Sequence, residues 1–117
     1  MIATGTGATV SGGFKFDGGA LAFQNVDPAA RDLTTMLAFA NQPADYLADV
    51  GAIMIDFTAK PTRSKVKVCP AGGLTAEAAA EKMSVTVDGE PVGRFGCLVE
   101  DGNLKIIFSR GTVIYMR

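Results

Sequence analysis

The chain has 117 residues, of which 48% are hydrophobic and 20% charged, and its formal net charge at pH 7 is −1. A chain of this length and composition is expected to fold as one domain around its own core, which excludes wholesale disorder and a purely charged tail. The sequence contains no His and only two Cys. These counts exclude Ser-His and Cys-His nucleophile pairs and a disulfide-rich scaffold, and they disfavour hydrolase chemistry.

The first twenty residues are rich in Gly, Thr and Ala and carry little side-chain mass. This composition predicts a flexible N-terminal arm over residues 1–20, followed by one globular domain over residues 21–117. An arm of this kind contributes little to a core, so residues 1–12 are expected to serve assembly rather than stability, for instance by adding a strand to a neighbour's sheet. The candidate partner-binding residues of the arm are Thr4, Thr6 and Thr9.

Two helices are predicted. Asp27-Pro28 is a favourable helix start, because Asp accepts hydrogen bonds from free N–H groups and Pro lacks the N–H that would be orphaned. Apolar side chains then recur at helical spacing, which predicts the main helix over about 28–40. A shorter helix, rich in Ala and Glu, is predicted over about 75–82 with Thr75 as its N-cap. The apolar positions of the main helix are Leu33, Met36, Leu37 and Ala40.

Alternating apolar and polar residues predict strands over 51–58 and 64–69, which we expect to pair as a hairpin. The last third predicts a four-stranded meander, because Gly-containing turns separate further alternating segments. The predicted class is therefore α+β: a β-rich single domain with an antiparallel sheet or small barrel and a C-terminal meander. The meander strands begin at Met83, Val92, Leu104 and Thr112, and the turns are Asp88-Gly89, Asp101-Gly102 and Arg110-Gly111.

No motif in the sequence carries a recognisable chemistry. Residues 5–10 begin like a dinucleotide-binding fingerprint but lack its third Gly, a preceding strand and a following helix. The Gly-rich connector 70–73 lacks the Lys-Ser/Thr of a phosphate loop, and the acidic residues lack calcium-loop spacing. We therefore predict no catalytic, cofactor-binding or metal-binding residues, no cofactor and no enzymatic activity.

A basic run provides the alternative function. Lys65 and Lys67 lie on one face of the predicted 64–69 strand and could meet phosphates together, with Lys60 and Arg63 just before them. The run lacks exposed aromatic residues for base stacking, and lysines on an outer strand face also discourage edge-to-edge aggregation. Nucleic acid or another anionic ligand at residues 60–67 therefore remains an alternative, disfavoured by the near-neutral charge.

The N-terminus indicates neither export nor membrane insertion. Residues 1–10 contain no Lys or Arg and no apolar core of a signal peptide, and the apolar runs fall short of the roughly 18–20 residues of a membrane span. We expect a soluble protein that is synthesised in the cytoplasm.

The Gly/Thr/Ala arm, the acid-capped helix and the C-terminal segments 85–92 and 100–108 together resemble small accessory proteins of bacteriophage particles. This group includes capsid-decoration proteins and completion proteins of the head–tail junction. The resemblance is one of overall style and transfers no functional residue. It implies a non-enzymatic virion protein that forms a homo-oligomer and binds a larger capsid or tail assembly.

Overall fold

Ten strands, one α-helix and one 3-10 helix make up residues 1–108, which are the residues described by the computed structural model of the protein. The β-rich α+β class predicted from the sequence is confirmed. The helices are the 3-10 helix Leu33–Thr35 and α1 (Ala76–Lys82). The strands are β1 (Ile2–Ala3), β2 (Ala8–Ser11), β3 (Ala20–Val26), β4 (Leu37–Ala40), β5 (Ala52–Phe57), β6 (Lys65–Pro70), β7 (Met83–Val87), β8 (Glu90–Pro91), β9 (Phe95–Glu100) and β10 (Asn103–Phe108).

The chain winds as a coil between two layers of strands. The first layer has the order β1-β3-β5-β7-β8, and β1, β3, β5 and β7 run parallel to one another. The chain crosses to a second layer between these strands, where β2 pairs in parallel with β4 and where β6 joins β10 and β9. Beside β4, the Lys67 N–H donates to the Arg31 carbonyl at 2.9 Å, which links the two groups of strands in the second layer.

The core lies between the two layers because alternate residues of each strand face inward. Ile53, Ile55 and Phe57 of β5 are fully buried, and so are Leu104 and Ile106 of β10. The rings of Phe57 and Phe108 join the layers, with centroids 5.8 Å apart. The alternation predicted for these two strands is thereby confirmed.

Two antiparallel hairpins end the coil at its C-terminal side. The first joins β7 to β8 through Asp88 (φ 50°) and Gly89 (φ 85°). The second joins β9 to β10 through Asp101 (φ 54°) and Gly102 (φ 76°). Two consecutive positive φ angles are typical of the tight turns that match strand twist, so both predicted turns are confirmed.

The short helix was predicted correctly and the main helix was not. Thr75 caps α1 by accepting the Ala78 N–H at 3.2 Å. Residues 28–40 contain no α-helix; they form a turn at Asp27, the 3-10 helix and strand β4. The apolar spacing over a short segment fits either structure, and pairing with β2 selects the strand.

Two pairing predictions were also wrong. Strand β5 forms no hairpin with β6; it lies between β3 and β7, and β6 pairs with β10 in the other layer. The predicted single meander is two hairpins in different layers, and the strand expected from Val92 begins at Phe95. Alternation identifies a strand but not its neighbour, which explains both errors. The predicted 110–111 turn and 112–116 strand lie outside the described residues.

Residues 1–20 are part of the domain in this structure, contrary to the expected separate arm. They contribute β1 and β2, which pair with β3 and β4. Ala3 and Phe16 are buried, and the Phe16 N–H donates to the Tyr46 carbonyl at 2.9 Å. Five of the six glycines in this segment have positive φ angles, and a Cβ added at any of the six would meet no atom within 4 Å, so turns rather than close packing account for them.

Candidate functional site

The outer edge of β2 is an open strand edge of the second layer in the described part of the chain. The Ala8 N–H donates to the Met36 carbonyl at 3.2 Å, and the Gly12 N–H donates to the Ala40 carbonyl at 3.3 Å. Because backbone groups alternate in direction along a strand, those of Thr9 and Ser11 point away from β4. Within residues 1–108, no strand pairs with that side of β2. The edge therefore offers backbone donors and acceptors to an incoming strand.

Strand β1 ends the first layer in the same way. The Met1 amino group donates to the Ala20 carbonyl at 2.8 Å, and Met1 accepts the Ala22 N–H at 2.9 Å. The backbone of Ile2 consequently points outward, and its side chain is 65% exposed. Ile2 lies in register with Ala22, which lies in register with the 42% exposed Met54. These residues give the outer face of the first layer an apolar row that reaches the edge.

The N-terminal end, by which we mean β1, β2 and their connection, carries no charged side chain. The first charge in the sequence is Lys15. Its ammonium group binds the carboxylates of Asp45 at 3.0 Å and Asp49 at 4.0 Å. The hydrogen bond from Lys15 lowers the pKa of Asp45. The side chains of β1 and β2 are thus neutral, while the Met1 ammonium group lies beside β1.

A groove of about 470 Å³ lies where the first two turns of the coil leave the first layer. Thr4 and Thr6 line one side, and Asp27, Arg31 and Asp32 are among the residues of the other. Both carboxylates have local partners: Asp27 accepts the Ala29 N–H at 2.8 Å, and Asp32 accepts the Thr34 N–H at 3.0 Å. Thr4, Thr6 and Arg31 therefore share one groove between the β1–β2 connection and the segment that precedes β4.

The predicted basic residues lie elsewhere. Lys65 and Lys67 share the outer face of β6, as expected, and Lys105 stands opposite Lys67 on β10. The Glu100 carboxylate accepts hydrogen bonds from Lys65 at 3.2 Å and from Lys105 at 2.8 Å. The hydrogen bonds from Lys105 and Lys65 lower the pKa of Glu100. Two of the three lysines on this face are therefore already paired with a carboxylate.

The remaining predicted residues lie in the β5–β6 connection, on the open edge of β2 or in the groove. Arg63 donates through Nε to the Ala29 carbonyl at 3.3 Å, and Lys60 is exposed in the connection from β5 to β6. Thr9 lies on the open edge, while Thr4 and Thr6 lie in the groove.

Sequence reasoning missed three residues of these surfaces, namely Ile2, Ser11 and Lys105. Their roles depend on which strands are neighbours, and no local pattern in the sequence identifies those neighbours.

The cysteines are free, and neither is a reactive thiolate. Cys69 is buried and burial raises its pKa to about 12, while burial raises the pKa of Cys97 to about 11. Among residues 1–108, no group of three or more His, Cys, Asp or Glu side chains is arranged to hold a metal ion. The helices of the described chain include none with the length and apolar character needed to cross a membrane.

Comparison of the chain with models of known protein families, with curated proteins and with solved structures finds no match.

Proposed function

We propose that this chain is a non-enzymatic assembly protein, and specifically a bacteriophage virion component that joins a capsid or tail assembly as an oligomer. The observation that carries the proposal is the outer edge of β2, which has neutral side chains and no pairing strand among residues 1–108. Thr9 and Ser11 direct their backbone groups to solvent there, which allows a partner to extend the sheet by strand addition.

An open strand edge of this kind is an aggregation liability. Proteins usually blunt an exposed strand edge with Lys, Pro or a covering segment. Residues 1–14 contain no Lys and no Pro, and Ile2 adds an exposed apolar side chain beside the edge. A strand edge without such protection, next to an apolar row, is suited to a stable protein–protein contact. The virion context comes from the resemblance in overall style to bacteriophage accessory proteins, which bind the symmetric shells or rings of the particle.

The test uses the shell and tail proteins encoded beside the gene for this chain. Assembled particles of each candidate are sedimented with the purified protein, and its bound fraction is measured. We expect saturable binding to one of them, with an affinity at least about tenfold weaker for Thr9→Pro, which removes one outward N–H. Thr9→Ala keeps that N–H and serves as the matched control. Failure of the wild-type protein to bind any candidate would contradict the proposal.

A second candidate function is anion binding on the outer face of β6 and β10. The observation in its favour is that Lys105 joins Lys65 and Lys67, which makes three cations against one Glu100 carboxylate. Binding of this kind weakens steeply as salt is raised. Titration with a DNA duplex at two salt concentrations tests it, and Glu100→Gln is expected to strengthen binding only if this face is used.

A further inference from the structure

We infer that the neighbour on the β2 edge is a second copy of this chain, bound with the two β2 strands antiparallel about a two-fold axis. This inference rests on the proposed function, in which the chain joins an assembly as an oligomer, and it names the contact within that oligomer. It follows from a comparison of what the two ends of the coil offer.

Strand β2 is complementary to a second copy of itself. An antiparallel pair exchanges N–H and C=O groups symmetrically, so the outward groups of Thr9 and Ser11 in one copy can bind those of the same residues in the other. The side chains at this edge are neutral, so two identical edges meet without repulsion between like charges. A neutral edge also lacks the charges that would select an oppositely charged partner.

At the C-terminal end, the edges formed by residues 1–108 do not match β2. The first-layer edge at this end is β8, two residues long, and Pro91 provides no N–H there. Glu90 and Arg94 add exposed charges. In the second layer, α1 lies beside β9. Head-to-tail stacking of copies would need a matching edge at this end, so the contact is between two N-terminal ends and closes at two chains.

Sedimentation equilibrium of the full-length protein tests the inference. We expect the wild-type protein and the Thr9→Ala variant to have twice the 12.1 kDa mass of one chain, and no larger species to form. Thr9→Lys and Thr9→Glu each place like charges near the two-fold axis, and each should weaken the dimer at least about tenfold. Thr9 is exposed, so both variants should fold, as far-UV circular dichroism will verify.

The decisive sample is an equal mixture of Thr9→Lys and Thr9→Glu. If β2 binds β2 of the other copy, opposite charges then face each other and the dimer mass returns. A mixture that stays monomeric while the wild type is dimeric shows that β2 meets a different surface, and this overturns the inference. A wild-type monomer overturns it as well.

The outcomes separate the inference from the proposed function. A monomer whose binding to a shell protein is weakened by Thr9→Pro leaves the assembly function standing and removes the second copy from this edge. A dimer restored by the charge-swapped mixture, together with no binding to shell or tail proteins, supports the two-fold pairing and contradicts the virion function.

Discussion

The two ends of the coil finish their strands differently. At the C-terminal end the chain reverses twice, so that β8 folds back on β7 and β9 pairs with β10. Pro91 and charged side chains occupy the outer edge of the first layer. At the N-terminal end, β1 and β2 have no antiparallel partner among residues 1–108, and their side chains carry no charge.

This difference follows from the winding. Each turn of a parallel coil leaves its outer strand edge to be covered by the next turn, so the terminal turns need a separate cap. Antiparallel hairpins provide that cap at one end because they end in short, blunted strands. Residues 1–20 provide no such hairpin, so the edge of β2 is open to the second copy that we infer above. This contrast between the ends would fail if the N-terminal end were a loose arm. It can be made quantitative by measuring how much each end contributes to the free energy of unfolding.

The largest expected effect is the loss of stability in Phe16→Ala. The Phe16 ring is 4% exposed and lies 4.8 Å from the Phe14 ring, centroid to centroid, in an edge-to-face arrangement. Removing a buried aromatic ring leaves a cavity and should lower the free energy of unfolding by about 3–5 kcal/mol. Urea unfolding measures this change.

Ile2→Ala is the matched control, because its side chain is 65% exposed and the change should stay within about 0.5 kcal/mol. An equally small effect of Phe16→Ala would mean that residues 1–20 behave as the arm expected from composition, and the open edge would no longer be held in place by the core.

A smaller effect is expected at the C-terminal turns. Gly89 and Gly102 have φ angles of 85° and 76°, and an added Cβ would meet no atom within 4 Å. Valine there should therefore destabilise through backbone strain alone, by about 1–3 kcal/mol for each variant. Gly93→Ala is the control, because Gly93 has open space around it and no positive φ.

Thermal unfolding of Gly89→Val and Gly102→Val provides the measurement. Melting temperatures equal to that of the control would show that these hairpins do not depend on left-handed turns, which would weaken the contrast between the two ends.

The features that sequence reasoning found correctly are local. Asp-Gly turns and the Thr75 cap depend on a few adjacent residues, so their chemistry can be identified without knowledge of the fold. The helix prediction over 28–40 was wrong even though its start signal is present. The Asp27 carboxylate accepts the Ala29 N–H, as at a helix start, but only a turn follows. Pairing with β2, nearly thirty residues away in the sequence, then determines strand β4.

The candidate site shows the same limit. Thr9 was identified as part of an assembly segment, yet its significance comes from the direction of its backbone, which is set by pairing with β4. Lys65 and Lys67 were placed on one face correctly because alternation within a strand is local. The Glu100 carboxylate that binds Lys65 comes from a strand on the far side of β10. Composition therefore overstated the free positive charge of that face.

The smallest expected effect is a pH dependence at the C-terminal cap. The Asp56 carboxylate of β5 accepts hydrogen bonds from the Thr86 hydroxyl and, at 3.0 Å, from the Gly89 N–H. These hydrogen bonds, chiefly the one from Thr86, hold the pKa of Asp56 below its usual value. The folded state therefore prefers the ionised carboxylate, and its contribution to stability is complete above the usual Asp pKa of about 3.9.

The contribution is lost as the pH falls through the lowered pKa of the folded state. Asp56→Asn should thus be less stable than the wild type at neutral pH, by about 1 kcal/mol or less because the site is partly solvated. The two proteins should converge in stability as the medium becomes acidic. Asp45 and Glu100 also have lowered pKa values, so both proteins lose stability in acid and the informative quantity is their difference. Unfolding free energies that stay parallel from neutral to acidic pH would show that Asp56 does not secure the β7–β8 turn through its charge, and the cap would then depend on the turn glycine alone.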